Sequence, residues 1–141
     1  MTFNPNTQTF AQGVDRIRKA ATKAGMRLDG IITSRDAAVL STKEDLTLKE
    51  ALEGFNKWLL PVHLDGPALL SFSYGGPNLE VPEHSHDEGD GIRVILHGSI
   101  SHKGKTLTAG DWMFMPKGTK YSFSVGPEGV GMFYCYLCCC V

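Results

Sequence analysis

The stretch that decides the fold is Pro82-Glu83-His84-Ser85-His86-Asp87-Glu88-Gly89-Asp90-Gly91, which leads into an apolar run ending at Gly98. In an extended strand, side chains two residues apart leave from the same face, so His84 and His86 are predicted to point in one direction. Their backbones would lie about 7 Å apart, and two imidazoles at that spacing can converge on one divalent metal ion. A lone His-x-His pair is a weak signal, because many such pairs are surface residues.

A second stretch, Gly110-Asp111-Trp112-Met113-Phe114-Met115-Pro116-Lys117-Gly118, follows a predicted hairpin at residues 102–105, where Gly104 supplies a positive φ. With both stretches the chain resembles the cupin superfamily. The first cupin motif runs His-x-His, three or four residues, Glu, six residues, Gly; the second runs Gly, five residues, Pro-x-Gly, two residues, His. The resemblance covers roughly residues 58–137. The matching positions are His84, His86 and Gly98 in the first motif and Gly110, Pro116 and Gly118 in the second.

The chain departs from the family pattern at three positions. The carboxylate ligand of the family falls on Asp90 when counted from His86, and on Gly91 when counted back from the closing glycine. The last histidine of the family falls on Tyr121, and tyrosine is a rarer metal ligand because its phenol must first lose a proton. The first glycine of the family falls on Asn78.

The resemblance implies a divalent metal ion bound by His84, His86 and Asp90. Glu88 shares strand parity with both histidines and is an alternative ligand, and water or Tyr121 would complete the shell. A set of two histidines and one carboxylate suits ferrous iron, so iron is favoured, with manganese, nickel and zinc as alternatives. The other interpretation is a metal-free pocket in which the histidines act as hydrogen-bonding or acid–base groups.

Two further residues are predicted, together with Glu88, to be catalytic. Arg93 lies two residues beyond Gly91 on the same strand and is expected to point into the barrel. A buried guanidinium needs a partner, so Arg93 would bind a substrate carboxylate or pair with Asp90 or Glu88, the ion pair being favoured. Tyr121 is interpreted either as a proton donor to substrate or as a core aromatic. His63 is expected to be satisfied by a backbone carbonyl.

The hydrophobic pattern predicts an all-β antiparallel sandwich or barrel, preceded by an N-terminal helical segment. The resemblance implies that this is a single cupin β-barrel of the RmlC-like jelly-roll type. The barrel is assigned to residues 58–141 and a helical extension packing on it to residues 1–57. A helix over residues 8–24 would stop near Gly25, a second would run from Thr47 to about residue 55, and residues 31–46 are expected to be irregular or short strand. The predicted strand runs are WLLPVHL, ALLSFSY, GIRVILHGSISHKG, KTLTAGDWMFMPKG, YSFSVG and GVGMFYCYLCCC.

The composition of the chain limits the classes of molecule that it is expected to bind. The net charge of −1 offers no basic footprint for nucleic acid. No segment has the apolar length of a membrane-spanning helix and no signal peptide is recognisable, so a cytoplasmic protein is expected. The four cysteines, Cys135, Cys138, Cys139 and Cys140, fall on a predicted terminal strand, where residues three apart face opposite sides. They are interpreted as buried or edge thiols in a reducing compartment, with an oxidation-sensitive or metal-binding tail as the alternative.

The favoured function is a metal-dependent enzyme acting on a small oxygenated or carboxylated organic substrate, with dioxygenase chemistry preferred. One alternative is a metal-independent cyclase, isomerase or lyase that uses His84, His86 and Tyr121 as acid–base groups. Another is a non-enzymatic cupin that senses a ligand and contacts a partner protein through its helical segment. A homodimer paired through the Cys-rich final strand is expected, because open barrels have edges to cover.

Overall fold

The computed structural model describes residues 8–49, 58–64, 69–86 and 89–136. The chain forms two compact units, one from residues 1–27 with 36–63 and one from residues 28–35 with 64–141. The predicted packing of an N-terminal extension on the barrel stays a prediction. The helices are α1 (Phe10–Lys23) and α2 (Ala37–Leu46), both in the first unit. Neither has the length and apolar character needed to cross a membrane.

Helix α1 confirms the helix predicted over residues 8–24 and is stabilised at both ends. A capping box begins it: Thr9 Oγ1 accepts from the Gln12 N–H at 3.2 Å, and Gln12 Oε1 accepts from the Thr9 N–H at 2.9 Å. Gly25 follows the helix with φ +69°, and the next N–H, of Met26, donates to Ala21 O at 2.9 Å. This is a Schellman motif, for which glycine is the preferred residue.

The spacing of Phe10, Val14, Ile17 and Ala21 predicts an inward face for α1, and part of this face is solvent-exposed. Ile17 and Ala21 are buried, but Phe10 is 83% exposed. Ile17 and Ala20 instead form a small core with Leu46 of α2. The inward face of α1 is therefore shorter than its apolar spacing predicts.

Helix α2 occupies a stretch that was expected to be irregular or short strand, and that expectation is wrong for residues 37–46. Its buried face consists of Val39, Thr42 and Leu46, at helical spacing. The polar Thr42 disguises this face in the sequence. It is tolerated in the interior because its hydroxyl donates to Val39 O at 2.7 Å. Thr47 caps the C-terminus of α2, and residues 50–57, most of the second predicted helix, lie outside the described residues.

The second unit is an antiparallel β structure. Its strands are β1 (Ile32–Thr33), β2 (Leu69–Gly75), β3 (Glu80–His84), β4 (Gly91–His102), β5 (Lys105–Thr108), β6 (Trp112–Met115) and β7 (Tyr121–Tyr136). Within the described residues the sheet order is β1-β6-β4-β7-β2, with β3 added on β7 and β5 on β4. The predicted strand at WLLPVHL is absent, since residues 58–64 form only a single bridge from Trp58 to Thr47. Pro61 in that run has no N–H to donate to a strand ladder.

The two long strands, β4 and β7, each contribute to two sets of paired strands, which we call the two arms of the barrel. The first half of β4 pairs with β6 and with the second half of β7, which also carries β2. The second half of β4 pairs with β5 and with the first half of β7, which also carries β3. A single core cluster draws on both arms, so the arms face each other as in the predicted jelly roll. Its buried members are Ile95, Ile100, Leu107, Met113, Met115, Tyr121, Phe123, Val125, Val130 and Met132.

A bulge in the middle of β4 joins the arms. Arg93 and Ile95 are buried before it, and Ile100 and His102 after it, so the inward parity changes from odd to even. One inserted residue has this effect, because side chains alternate with a period of two. Gly98 lies at the bulge with φ +71°, and a Cβ there would collide with the Gly129 carbonyl oxygen.

The left-handed backbone positions explain the matches to the cupin motifs. Gly98, Gly110 and Gly118 all have positive φ, between 71° and 90°. Asn78, which stands where the family has a glycine, also has a positive φ of 59°. Asparagine is among the non-glycine residues that best tolerate this region. The hairpin predicted at residues 102–105 is confirmed as well, with Lys103 and Gly104 both left-handed between paired residues.

Candidate active site

The two cupin-like motifs are joined by two hydrogen bonds that backbone N–H groups donate. The Gly118 N–H donates to His86 O at 2.9 Å, and the Lys117 N–H donates to Asp90 Oδ1 at 2.8 Å. Register in the same region pairs His84, the last residue of β3, with Tyr121, the first residue of β7. The Pro-x-Gly turn of one motif therefore holds the His-x-His segment of the other beside the start of β7.

The ring orientation of His84 is set by the backbone. Its Nδ1 lies 2.7 Å from the carbonyl oxygen of Pro82. A carbonyl only accepts hydrogen bonds, so Nδ1 carries the proton and Nε2 has the free lone pair in the neutral ring. Within the described residues no group is hydrogen-bonded to that Nε2.

His86 uses its corresponding nitrogen differently. Its Nε2 lies 3.0 Å from the hydroxyl oxygen of Tyr121. The His84 and His86 rings stand edge to face with centroids 5.2 Å apart, and the Tyr121 ring is 4.6 Å from that of His84. Tyr121 is only 2% exposed, whereas both histidines are partly exposed. The histidines thus form the accessible part of the site and Tyr121 its buried floor.

Arg93 lies behind Tyr121 and is 3% exposed, as the parity of its strand predicts. Its Nη2 donates to Tyr121 Oη at 2.9 Å, and its Nη1 donates to Tyr134 Oη at 2.8 Å. The guanidinium carbon lies 4.4 Å from the ring centre of Phe123 and 4.3 Å from that of Tyr134. Aromatic faces stabilise a buried guanidinium in this way.

Arg93 and Asp90, one of the two predicted ion pairs, do not bond to each other. Among the described residues Arg93 binds phenol oxygens, while the Asp90 carboxylate lies where it accepts from the Lys117 N–H. The other predicted partner, Glu88, lies outside the described residues. The predicted roles of Arg93, Tyr121 and Glu88 toward a substrate stay predictions.

The predicted metal ligands come together in part. Across the described ranges no three His, Cys, Asp or Glu side chains are grouped to hold a metal ion, and Asp87 and Glu88 are outside those ranges. His84 and His86 adjoin, at a ring separation close to what two imidazoles bound to one ion at about 2.1 Å would have. Binding through Nε2 of both rings would require His86 to break its bond to Tyr121.

Tyr134 is a site residue that the sequence analysis missed. It lies directly opposite Arg93 in the β4–β7 register. Its alternation with Met132 on β7 marks it as inward-facing, which was a usable signal. Its pairing with Arg93 could not be predicted from the sequence, because irregularities in the β4–β7 ladder shift the register between the two strands.

Two other histidines do not belong to this group. His63 Nδ1 is buried and has no hydrogen-bond partner in the described part of the chain, so its expected bond to a backbone carbonyl is wrong. His97 is exposed and stacks on Tyr74 with centroids 5.7 Å apart.

Asp111 of the second motif holds residues 28–35 to the barrel. Its carboxylate accepts from Ser34 Oγ, from Arg35 Nε and from the Thr108 N–H, each at 2.9 Å. Burial alone would raise the pKa of Asp111, but these hydrogen bonds and the Arg35 charge outweigh burial and lower the pKa below its usual range. Asp111 is therefore a structural residue.

The Cys-rich segment is described only as far as Tyr136. Cys135 is a free thiol, and burial raises the pKa of Cys135. Cys138, Cys139 and Cys140 lie outside the described residues. Strand β7 pairs with β4 on one side and β2 on the other, so its described part is not the free edge that was expected to pair two copies. The outermost strand on that side is β2.

Neither protein-family models nor curated proteins gave a match to this chain. Solved structures did. A protein of unknown function with a cupin-like fold from Ralstonia eutropha is 18% identical, over 50% of this chain and 46% of that one, with a TM-score of 0.45. The match thus spans about half of the Ralstonia protein. A cupin protein from Bacteroides fragilis is 25% identical over 55% of this chain and 68% of that one, with a TM-score of 0.41.

A third similar structure is a protein with a double-stranded β-helix domain from Klebsiella pneumoniae. It is 20% identical over 53% of this chain and 66% of that one, with a TM-score of 0.45. The antiparallel barrel architecture of this chain is shown by its own strand pairing.

Proposed function

We propose that the barrel binds a small oxygenated or carboxylated organic molecule and catalyses a metal-independent acid–base reaction on it, of the isomerase, cyclase or lyase type. The observation that carries the proposal is the unequal use of two neighbouring imidazoles. His84 has its Nδ1–H anchored on Pro82 O, which leaves Nε2 as a proton acceptor, whereas Nε2 of His86 is bonded to Tyr121. A positioned base, His84, beside the hydrogen-bonded pair of His86 and Tyr121 suits proton transfer.

In this reaction His84 Nε2 removes a proton from the substrate, and the ring becomes an imidazolium. The Pro82 carbonyl stabilises that cation, because the Nδ1–H bond strengthens when the donor is charged. Return of the same proton to a neighbouring atom completes an isomerisation without a co-reactant. His86 and Tyr121 hold the ring of His84 in place, with the Tyr121 ring 4.6 Å from it.

A second candidate is the metal-dependent enzyme, with a divalent ion held by His84, His86 and Asp90 or Glu88. What favours it is His84, because metal-binding imidazoles commonly donate their other N–H to a carbonyl. Such an ion, iron by preference or else manganese, nickel or zinc, would polarise a carbonyl or activate dioxygen, as in a dioxygenase. The buried Arg93 cation, 2.9 Å from Tyr121 Oη, opposes a second cation nearby.

Proton exchange tests the first candidate. The protein is incubated in D₂O, with and without a chelator, with a panel of small keto acids and hydroxy ketones, and deuterium uptake is followed by NMR. We expect chelator-resistant uptake that His84→Gln reduces at least about 100-fold, the usual contribution of a general base. His97→Gln, at the exposed histidine of β4, is the matched control and should leave uptake unchanged.

Uptake that survives His84→Gln would refute the assignment of the base. Metal content after anaerobic, metal-replete purification tests the second candidate. Stoichiometric metal that disappears in a His84→Ala, His86→Ala double variant would support it, and so would uptake that the chelator abolishes. Tight binding of a panel compound without turnover would favour the ligand-sensing alternative.

We further propose a reducing cytoplasm and a homodimer as the setting of this activity. The free thiol of Cys135 is consistent with a reducing compartment. The dimer is supported by large apolar side chains on the outer face of β2, where Phe72 is 65% and Tyr74 73% exposed.

A further inference from the structure

We infer that Tyr134 is a positioning residue. Acting through Arg93, it orients the Tyr121 hydroxyl so that this hydroxyl donates its hydrogen bond to Nε2 of His86. The inference rests on the proposed acid–base function and assigns a reason why His84, rather than His86, accepts the substrate proton. Four side chains carry it, joined in the order His86, Tyr121, Arg93, Tyr134 by contacts of 3.0, 2.9 and 2.8 Å.

The direction of the Tyr121 hydroxyl follows from a count of donors and acceptors. Arg93 has only N–H donors, so its bond to Tyr121 Oη uses one oxygen lone pair. The hydroxyl proton then needs an acceptor, and the other polar atom of the described residues within hydrogen-bond distance is His86 Nε2. In the reverse arrangement His86 would donate, and the hydroxyl proton of Tyr121, a residue that is 2% exposed, would have no acceptor among the described residues. Leaving a buried donor unsatisfied costs about 1–3 kcal/mol.

Tyr134 matters because a guanidinium is a rigid plane. Its hydroxyl holds Nη1 at 2.8 Å while its ring lies 4.3 Å from the guanidinium carbon, and Phe123 lies 4.4 Å from the same carbon. With Nη1 held in the plane, Nη2 is aimed at Tyr121. The register pair Arg93–Tyr134 makes this contact a direct consequence of the β4–β7 ladder.

The network leaves the two histidines in the same tautomer for different reasons. His84 carries its proton on Nδ1 because Pro82 O accepts there, and His86 does so because Tyr121 occupies its Nε2. A proton on Nε2 of His86 would leave the hydroxyl proton of Tyr121 without an acceptor among the described residues. The base function therefore falls to Nε2 of His84.

Histidine ring NMR with ¹⁵N labelling tests the inference on the intact protein, at a pH of about 9 where imidazoles are ordinarily neutral. In the wild type we expect both His84 and His86 to show a single Nδ1–H tautomer. Tyr134→Phe keeps the ring and removes only the hydroxyl, and should convert His86 alone into an exchanging mixture with Nε2–H. His84 is the internal control, and Tyr74→Phe, on the exposed face of β2, is the matched control.

Two further variants separate the steps. Tyr121→Phe should move His86 furthest toward Nε2–H, and Arg93→Lys should give the same change as Tyr134→Phe, because an ammonium lacks the planar fork. A wild-type His86 in the Nε2–H form, or a His86 signal unchanged by Tyr134→Phe in a folded protein, would overturn the inference. Failure of the proposed function would appear elsewhere, as deuterium uptake that His84→Gln does not affect.

Discussion

The carbonyl oxygen of His86 accepts a hydrogen bond of 2.9 Å from the backbone N–H of Gly118. This contact joins the two motifs that suggested the fold, and it places the histidine segment beside the strand that begins at Tyr121. The left-handed backbone of Gly118, with φ +73°, is part of the turn that presents this N–H. A glycine remote from the reacting atoms in sequence thus sets the position of His86.

Gly118→Ala should disturb the site as well as the stability. An added Cβ meets open space, so the cost is the strain of a left-handed alanine, about 1–2 kcal/mol in urea unfolding. Gly104→Ala, with φ +77° and equally open surroundings, should cost the same and is the matched control. Only Gly118→Ala should shift the ring signals of His86. Equal His86 spectra in both variants would contradict the role of this turn.

Gly98→Ala should be more damaging than Gly104→Ala. Both glycines are left-handed, but a Cβ at Gly98 collides with the Gly129 carbonyl oxygen at the β4 bulge. Strain and overpacking together predict a loss of about 3 kcal/mol or more. Chemical denaturation monitored by tryptophan fluorescence measures the difference. Similar midpoints for the two variants would show that the bulge relaxes without cost.

Asp111→Asn should lower the free energy of unfolding at neutral pH by about 1–3 kcal/mol, because a charged acceptor of several hydrogen bonds is lost. The pKa of Asp111 is lowered in the folded state, so its contribution is present above the ordinary carboxyl value of about 3.9. It is lost as the pH falls through the folded-state pKa. The gap between wild type and variant should therefore close in strong acid.

A suitable comparison for that variant is Asp15→Asn. Asp15 forms an exposed pair with Lys19 at 2.8 Å within α1, and such pairs contribute little. A difference in unfolding free energy between wild type and Asp111→Asn that is independent of pH, or equal to the effect of Asp15→Asn, would contradict the stabilising role of the hydrogen bonds that the Asp111 carboxylate accepts.

Tyr121→Phe should destabilise the fold by about 1–3 kcal/mol although it keeps the ring, because Arg93 Nη2 and His86 Nε2 both lose their shared partner. Tyr74→Phe at the exposed face of β2 should have no measurable effect. Thermal unfolding of the two variants side by side measures this. A neutral Tyr121→Phe would mean that water replaces the phenol oxygen.

In solution we expect a species of twice the chain mass of 15.4 kDa. Replacing Phe72 and Tyr74 by serine should shift the protein toward the single-chain mass, because these side chains form the exposed apolar face of β2. Sedimentation equilibrium over a range of concentrations gives the masses. A wild-type protein at 15.4 kDa throughout would refute the homodimer.

The barrel and the neighbourhood of His84, His86 and Tyr121 were predictable because they depend on local regularities. Alternating strands, a glycine in each motif and the His-x-His spacing are properties of residues near one another in the chain. Even the departure at Asn78 preserves the left-handed backbone of the family position. Helix α2 escaped prediction because the buried Thr42 looks polar until its hydroxyl bond to Val39 O is known.

The hydrogen-bond partners of the polar side chains in the site could be identified only from the tertiary structure. Arg93 was expected to bind a substrate carboxylate or to pair with Asp90 or Glu88. It does not bond to Asp90, and it donates instead to Tyr134 across the β4–β7 ladder. The His-x-His sequence does not show which ring nitrogen of each histidine is hydrogen-bonded. In the structure, Pro82 O bonds to Nδ1 of His84, and Tyr121 bonds to Nε2 of His86. The orientation of a side chain follows from strand periodicity. The donor or acceptor that it meets depends on long-range register and on bulges, which set distances between segments far apart in the chain.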